Sequence, residues 1–193
     1  MASPLARALL GAEAALAPEK TRSFKHEFQT HSERGAALDA VAQVDADLES
    51  LIRAYMIKTS LQDQALKETG PIGPLGVRIK IAYLFGMIPK MLMQELDIIR
   101  KIRNEFAHTP NAVDFNYPKI KVACSELSIV PTIRSLPRER MEVFYSLLDL
   151  YDVDQPPYLF VATCMIVRVL IGIQREYAKP SDGSRLHGTK DAV

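Results

Sequence analysis

Apolar residues recur at helical spacing along most of the chain, and the strict alternation that indicates strands is scarce. The longest such stretch covers residues 31–57 and gathers its apolar side chains on one face, namely Val41, Val44, Leu48, Leu51, Ile52 and Tyr55. No alternating segment is flanked by a hairpin turn, and no internal repeat is present. The pattern therefore predicts an all-α fold, a single-domain helical bundle of about six helices.

Proline and glycine mark where the predicted helices begin and end. After the first helix, we expect helices over Val77–Gly86, from Pro89 to Ala107, over 117–127, from about Pro137, and from about Pro157 to Tyr177. These helices form one predicted domain at 29–178, preceded by a partly helical N-terminal appendage at 1–28. The polar, turn-rich stretch 179–193 is predicted to be a flexible tail.

Two apolar stretches raise the question of a membrane or export segment. The run "YLFVATCMIVRVLIGI" from Tyr158 to Ile173 contains Arg168 and is shorter than the roughly 20 residues of a membrane span. It predicts a buried core helix instead. The N-terminal stretch has no basic start and is interrupted by Glu13, which argues against a signal peptide. We expect a cytoplasmic protein that does not bind membranes.

Charge and cysteine content narrow the choice of partners. The formal net charge of +1 over 193 residues predicts weak, non-specific nucleic-acid binding at most. Cys124 and Cys164 lie far apart, and no CxxC or HxxxH spacing accompanies them. They are predicted to be buried thiols, and neither a metal site nor a cofactor is expected.

The segment "IIRKIRNEFAH", Ile98–His108, carries an unusual set of polar groups for one helix. On a helical wheel with Arg100 at zero, Asn104, Asp97 and His108 all fall within about 80°. A face with so many polar side chains is expected to open to solvent or to a pocket. Arg100, Asn104 and His108 are therefore candidate binding residues for an anionic ligand, a partner protein or an RNA phosphate.

Arg103 falls elsewhere on the same wheel, on the apolar arc at about 300°. Asp45 interrupts the apolar arc of the first helix in the same way. A buried charge needs a partner of opposite sign. The two positions therefore predict a structural ion pair between Asp45 and Arg103.

The same segment also contains an Arg-x4-His spacing, which suggests catalysis as an alternative. An imidazole at His108 can move the proton of a ribose 2′-hydroxyl while Arg103 stabilises the phosphorane charge. The two side chains lie about 140° apart on an ideal helix, so they converge only if the helix ends early or across a dimer. His108 could equally cap the C-terminal end of the helix.

Three blocks of the sequence resemble the mannitol operon repressor family: "SERGAALDAVAQVDADLESLI", "GPLGVRIKIAYLFGMIPK" and "LDIIRKIRNEFAH". The resemblance implies an all-helical bacterial transcription regulator that has no recognisable DNA-binding motif. The sequence agrees, because it shows no helix-turn-helix spacing, zinc finger or basic arm. Repression would then require a protein partner or an unrecognised surface.

The block "RNEFAH" is also similar to the HEPN superfamily, and this implies a metal-independent ribonuclease. In that alternative Arg103 and His108 would be catalytic and Asn104 their polar neighbour. We favour the repressor-type regulator, which acts through a protein partner and is not an enzyme. A helical adaptor with neither role, and a homodimer, stay open.

Overall fold

The computed structural model describes residues 32–110, 113–149 and 151–178, and no β-strand occurs in these ranges. The helices are α1 (Glu33–Tyr55), α2 (Ser60–Leu66), α3 (Leu75–Leu84), α4 (Lys90–His108), α5 (Pro118–Ser125), α6 (Ile129–Arg134), a 3-10 helix (Arg138–Arg140), α7 (Glu142–Leu148) and α8 (Pro156–Tyr177). The predicted all-α fold is confirmed. The predicted appendage 1–28 and tail 179–193 lie outside the described residues.

Helix α8 forms the centre of the bundle. Its residues from Phe160 to Val167 are all buried, and it packs along α1 and against α4 to α7. It is long and apolar enough to cross a membrane by composition, but 56% of its most apolar window is buried inside the protein. Arg168, the charged residue within its apolar run, pairs with Asp47 of α1 at 2.6 Å. The prediction of a buried core helix is confirmed.

The start of α1 is tied to the segment that follows α4. Ser32 caps α1 by accepting a hydrogen bond from the Gly35 amide at 3.2 Å. Glu33 accepts a hydrogen bond from the Phe115 amide at 2.8 Å. The Gly35 amide belongs to the first turn of α1 and has no acceptor within the helix, so Ser32 stabilises this end, while Glu33 ties α1 to the α4–α5 connection.

Helix boundaries differ from the predicted ones where elements are short. Helix α6 was not predicted, and α2 lies in the connection 59–76, whose first half the sequence allows to hold a helical turn; six and seven residues are too few to show a periodic pattern. The helix expected from about Pro137 begins only at Glu142, after the 3-10 turn.

Helix α6 is fixed by a buried carboxylate from another helix. Glu95 of α4 is fully buried and accepts hydrogen bonds from the amides of Ser128 and Ile129 at 2.9 and 3.0 Å, and from the Ser128 hydroxyl at 2.9 Å. A carboxylate is favoured at this end of a helix because the first amides have no partner within the helix. Tertiary packing therefore supplies the stability that this short helix lacks by itself.

Candidate functional site

A groove of 1030 Å³ runs between the first half of α1 and the last half of α4, and the start of α3 closes one end. Its polar and small lining residues include Arg34 and Asp39 of α1, Gly76 and Lys80 of α3, and Arg103 and Asn104 of α4. We call this feature the α1–α4 groove. Among the described residues, no cluster of three or more histidine, cysteine or acidic side chains could hold a metal ion there or elsewhere.

The groove exists because α3 begins late along α4. The segment "GPIGPLG" keeps the chain irregular up to Pro74, so α3 covers α4 only as far as the level of Arg100. Gly76 faces this contact, and a Cβ atom at that position would lie 3.4 Å from Cδ of Arg100, which is an ordinary van der Waals distance. Beyond Arg100 the turns of α4 lack this cover and form the wall of the groove.

Arg100 lies on this wall with its charge balanced. Its Nε and Nη2 atoms donate to Oδ1 of Asp97 at 3.0 and 2.7 Å, and its side chain is 31% exposed. Asn104 lies one turn further along the same wall. Arg100 and Asn104 line the groove and His108 is exposed outside it, and the role of all three residues in binding stays a prediction.

Arg103 is exposed and makes no ion pair within the described residues. Its Nη1 donates to Oδ1 of Asn104 at 3.3 Å. The predicted ion pair with Asp45 is therefore wrong. The helical wheel placed Arg103 beside Leu92 and Leu96, which are buried, but a wheel ignores position along the helix axis. The side of α4 that is buried at Leu96 is exposed to solvent two turns later, at Arg103.

Asp45 pairs instead with Arg78 of α3, which is buried. The Arg78 guanidinium donates to Asp45 and Glu49 at 2.7 Å each, and to the carbonyls of Leu66 and Ile72 at 2.6 and 3.0 Å. We call this the Arg78 cluster. Sequence analysis missed it, although a lone arginine in the apolar stretch "GVRIKIAYL" was a usable signal.

His108 is exposed in the last turn of α4, and the residues that line the groove end at Ala107. The cap of this helix end comes from Arg34, which donates to the carbonyls of Ala107 and Thr109 at 3.1 and 3.3 Å. The structure thus assigns the capping contacts to a residue that sequence analysis did not select. Arg103 and Asn104 lie together on the groove wall, and His108 does not join them there.

The charges around the groove are mixed. Lys80 and Arg103 have no ion-pair partner in the described part of the chain, and neither do Asp39 and Glu68. Phosphate backbones are bound by surfaces of one sign, so this arrangement does not favour nucleic acid. It suits a protein surface that carries both charges.

The two cysteines play no part in the groove. Both are buried and unpaired, as predicted. Burial raises the pKa of the Cys124 thiol to about 12, and burial also raises the pKa of Cys164. Both thiols are protonated at neutral pH and are therefore poor nucleophiles and poor metal ligands.

Comparison with known proteins gives a family and a fold. Residues 41–161 match the family model described as "Mannitol repressor". A chain from the X-ray structure of the MtlR-HPr complex from Escherichia coli matches with a TM-score of 0.50 and 17% sequence identity, covering 80% of this chain and 96% of that one. At that identity the match supports the fold alone. No curated protein matches the chain.

Proposed function

This chain belongs to the mannitol repressor family, and from that premise we propose that it is a cytoplasmic bacterial transcription regulator of the repressor type. It acts without a DNA-reading element of its own and regulates by binding a protein partner. The α1–α4 groove is the contact surface for that partner. Arg100, Arg103 and Asn104 are the proposed binding residues on its wall.

One observation carries this proposal: the three blocks that resemble the family meet at the groove. The block starting "SERGAAL" supplies Arg34, the block "GPLGVRIK" supplies Gly76 and Lys80, and the block "IIRKIRN" supplies Arg103 and Asn104. Residues that are distant in sequence but line the same groove have a common role, which is either to maintain the fold or to bind a partner. Exposed, unpaired Arg103 does not contribute to architecture, which favours binding.

The chemistry of the wall fits a protein partner. Arginine is enriched among the residues that dominate binding energy, because its planar fork recognises carboxylates through two hydrogen bonds. Asn104 can accept from Arg103 and still offer its amide donors to a partner. The pair is therefore suited to one acidic side chain and the backbone around it.

The structural neighbour indicates which partner to test first. That neighbour was solved as a complex with HPr. We propose that the HPr protein of the same bacterium binds the groove of this chain. Calorimetric titration of the full chain with that HPr measures the affinity, and Arg103→Ala is expected to weaken it about tenfold, or about 1.4 kcal/mol.

Arg134→Ala serves as the matched control for this titration. Arg134 is also an exposed arginine, but it lies on α6, pairs with Asp154 at 2.8 Å and does not line the groove. Its loss is expected to leave the affinity unchanged. Absence of HPr binding would reject this partner, and equal weakening by both variants would reject the groove as the contact surface.

The regulatory part of the proposal is tested with DNA. Because the net charge is near zero, the chain alone should bind a candidate promoter and a scrambled duplex about equally at physiological salt. A preference above roughly a hundredfold would show direct sequence reading and contradict the proposal. A reporter gene whose expression rises when the chain is deleted, and stays high with Arg103→Ala, would support it.

A further inference from the structure

Four apolar side chains within nine residues are exposed around the turn between α3 and α4. Leu84 is 77% exposed, Phe85 73%, Met91 43% and Tyr83 37%. We call these four residues the α3–α4 knuckle. Single exposed apolar residues are common on soluble proteins, but a contiguous group that includes two aromatic rings is typical of an interaction site.

The backbone holds the knuckle outward. Gly86 has a φ of +69°, a conformation that suits glycine, and it reverses the chain directly after Phe85. The next two residues, Met87 and Ile88, turn into the core and donate to the Ala82 carbonyl at 2.8 and 3.3 Å. Since Met87 and Ile88 occupy the inward positions, Leu84 and Phe85 remain outside. A surface that is already fixed loses little freedom on binding.

The charge beside the knuckle is of one sign. Lys80 lies one turn before Leu84 on the same face of α3, and Lys90 directly precedes Met91. Both lysines are exposed, and neither makes an ion pair within the described residues. No aspartate or glutamate occurs from Thr69 to Gln94. Along the chain, the knuckle is therefore flanked by two exposed cations with no acidic residue between them.

We propose that the α3–α4 knuckle is a docking surface for a second protein, one whose complementary site is an apolar pocket with aspartate or glutamate at its rim. Phe85 and Leu84 enter the pocket, and Lys80 and Lys90 pair with the rim. The surface adjoins the α1–α4 groove, since Lys80 lines the groove one turn before Leu84, but none of the four apolar residues of the knuckle lines the groove. The proposal thus goes beyond the function proposed above.

The charges favour a different protein over the other possible occupants. In a symmetric contact between two copies of this chain, the lysines of both knuckles would approach one another without an intervening acid from this segment. Recognition of an anionic membrane by basic side chains generally takes a cluster of about four to eight lysines or arginines, whereas this segment supplies two exposed ones. An acidic rim on a protein neutralises two cations in a defined geometry.

Site-specific cross-linking in the native bacterium tests this assignment with the full chain. A photoreactive p-benzoylphenylalanine replaces Phe85 in one strain and Val122 in the control strain. Val122 is also apolar and exposed, at 60%, but belongs to α5. Mass spectrometry identifies each product, and the identified protein is then purified and titrated against wild type, Phe85→Ser and the double variant Lys80→Glu/Lys90→Glu.

The proposal expects one heterologous protein joined at position 85 and absent at 122. Its affinity should fall at least tenfold both with Phe85→Ser and with Lys80→Glu/Lys90→Glu, while the melting temperatures stay near that of wild type. Cross-linking only to a second copy, only to lipid, equally from position 122 or to nothing would each overturn it. So would a partner whose affinity is unchanged by charge reversal. HPr as the product at position 85 would move the partner site from the groove to the knuckle.

Discussion

Two arginines in neighbouring helices have opposite surroundings. Arg78 is buried, and its guanidinium donates to two carboxylates and two carbonyls from three parts of the chain. Arg103 is exposed and donates to the amide oxygen of the adjacent residue, Asn104. The three nitrogens of this buried guanidinium all donate to acceptors within the protein, so the Arg78 cluster is structural. Arg103 keeps donors that a partner can use.

The comparison shows that residue type does not separate a structural charge from a functional one. Both arginines lie among apolar residues of their helices, and the wheel places Arg103 on the apolar arc. What separates them is whether another element covers the helix at that level. α1, the end of α2 and the 67–74 connection supply the acceptors of Arg78, while Arg103 is exposed on the wall of the α1–α4 groove.

The largest effect should come from removing the buried arginine. Arg78→Ala leaves Asp45 and two carbonyls without this donor and leaves Glu49 with Arg53 alone, and breaking a buried pair from one side costs about 3–5 kcal/mol. Chemical denaturation should show this loss, or no folded protein at all. Arg103→Ala is the control and should change stability by less than about 0.5 kcal/mol. Equal losses of unfolding free energy in Arg78→Ala and Arg103→Ala would contradict the distinction between a structural and an exposed, partner-binding arginine.

Removing one carboxylate should have a smaller effect than removing Arg78. In Asp45→Ala, the guanidinium keeps Glu49 and both carbonyl acceptors, and Asp45 is itself 31% exposed. We expect a loss of about 1–3 kcal/mol, measured by the same denaturation. Asp39→Ala, an exposed acid of α1 without an ion pair in the described residues, should be neutral. A loss in Asp45→Ala as large as in Arg78→Ala would mean that Glu49 contributes nothing.

Arg34 both caps the end of α4 and lines the groove. Its removal should therefore cost less stability than the loss of Asp45 but more than the loss of His108. Arg34→Ala leaves the carbonyls of Ala107 and Thr109 to water, at a cost of about 1 kcal/mol. Hydrogen exchange should become faster in the last turn of α4 and remain unchanged in α8. Arg34→Lys, which keeps one donor group, should recover part of the difference. Unchanged exchange in Arg34→Ala would contradict the capping role.

The smallest structural effect is expected at His108, which is exposed and leaves the capping contacts to Arg34. His108→Ala should alter stability by less than about 0.5 kcal/mol. The same variant tests the ribonuclease alternative. Wild type incubated with single-stranded RNA without metal should show no cleavage. Cleavage that disappears in a folded His108→Ala variant would replace the regulatory proposal with the enzymatic one.

The sequence alone determined the helical architecture. Periodic apolar positions identified α1, α4 and α8, and proline and glycine gave most of their ends, because these signals act within a few residues of the chain. The polar wall with Arg100 and Asn104 followed from the same periodicity. The family resemblance named the blocks that later met at the groove. The short helix α6 could not be identified from periodicity, because its stability depends on Glu95 of α4 and not on its own apolar pattern.

Only the tertiary structure decided what each charged residue does. Periodicity gives an angle around a helix axis, but burial also depends on where a neighbouring helix starts and stops. Helix α3 starts at Leu75, and this one position leaves Arg103 open and aligns Arg78 with Asp45 and Glu49. The partner of a charge lies tens of residues away in the chain, so only the packing of α1, α3 and α4 selects it.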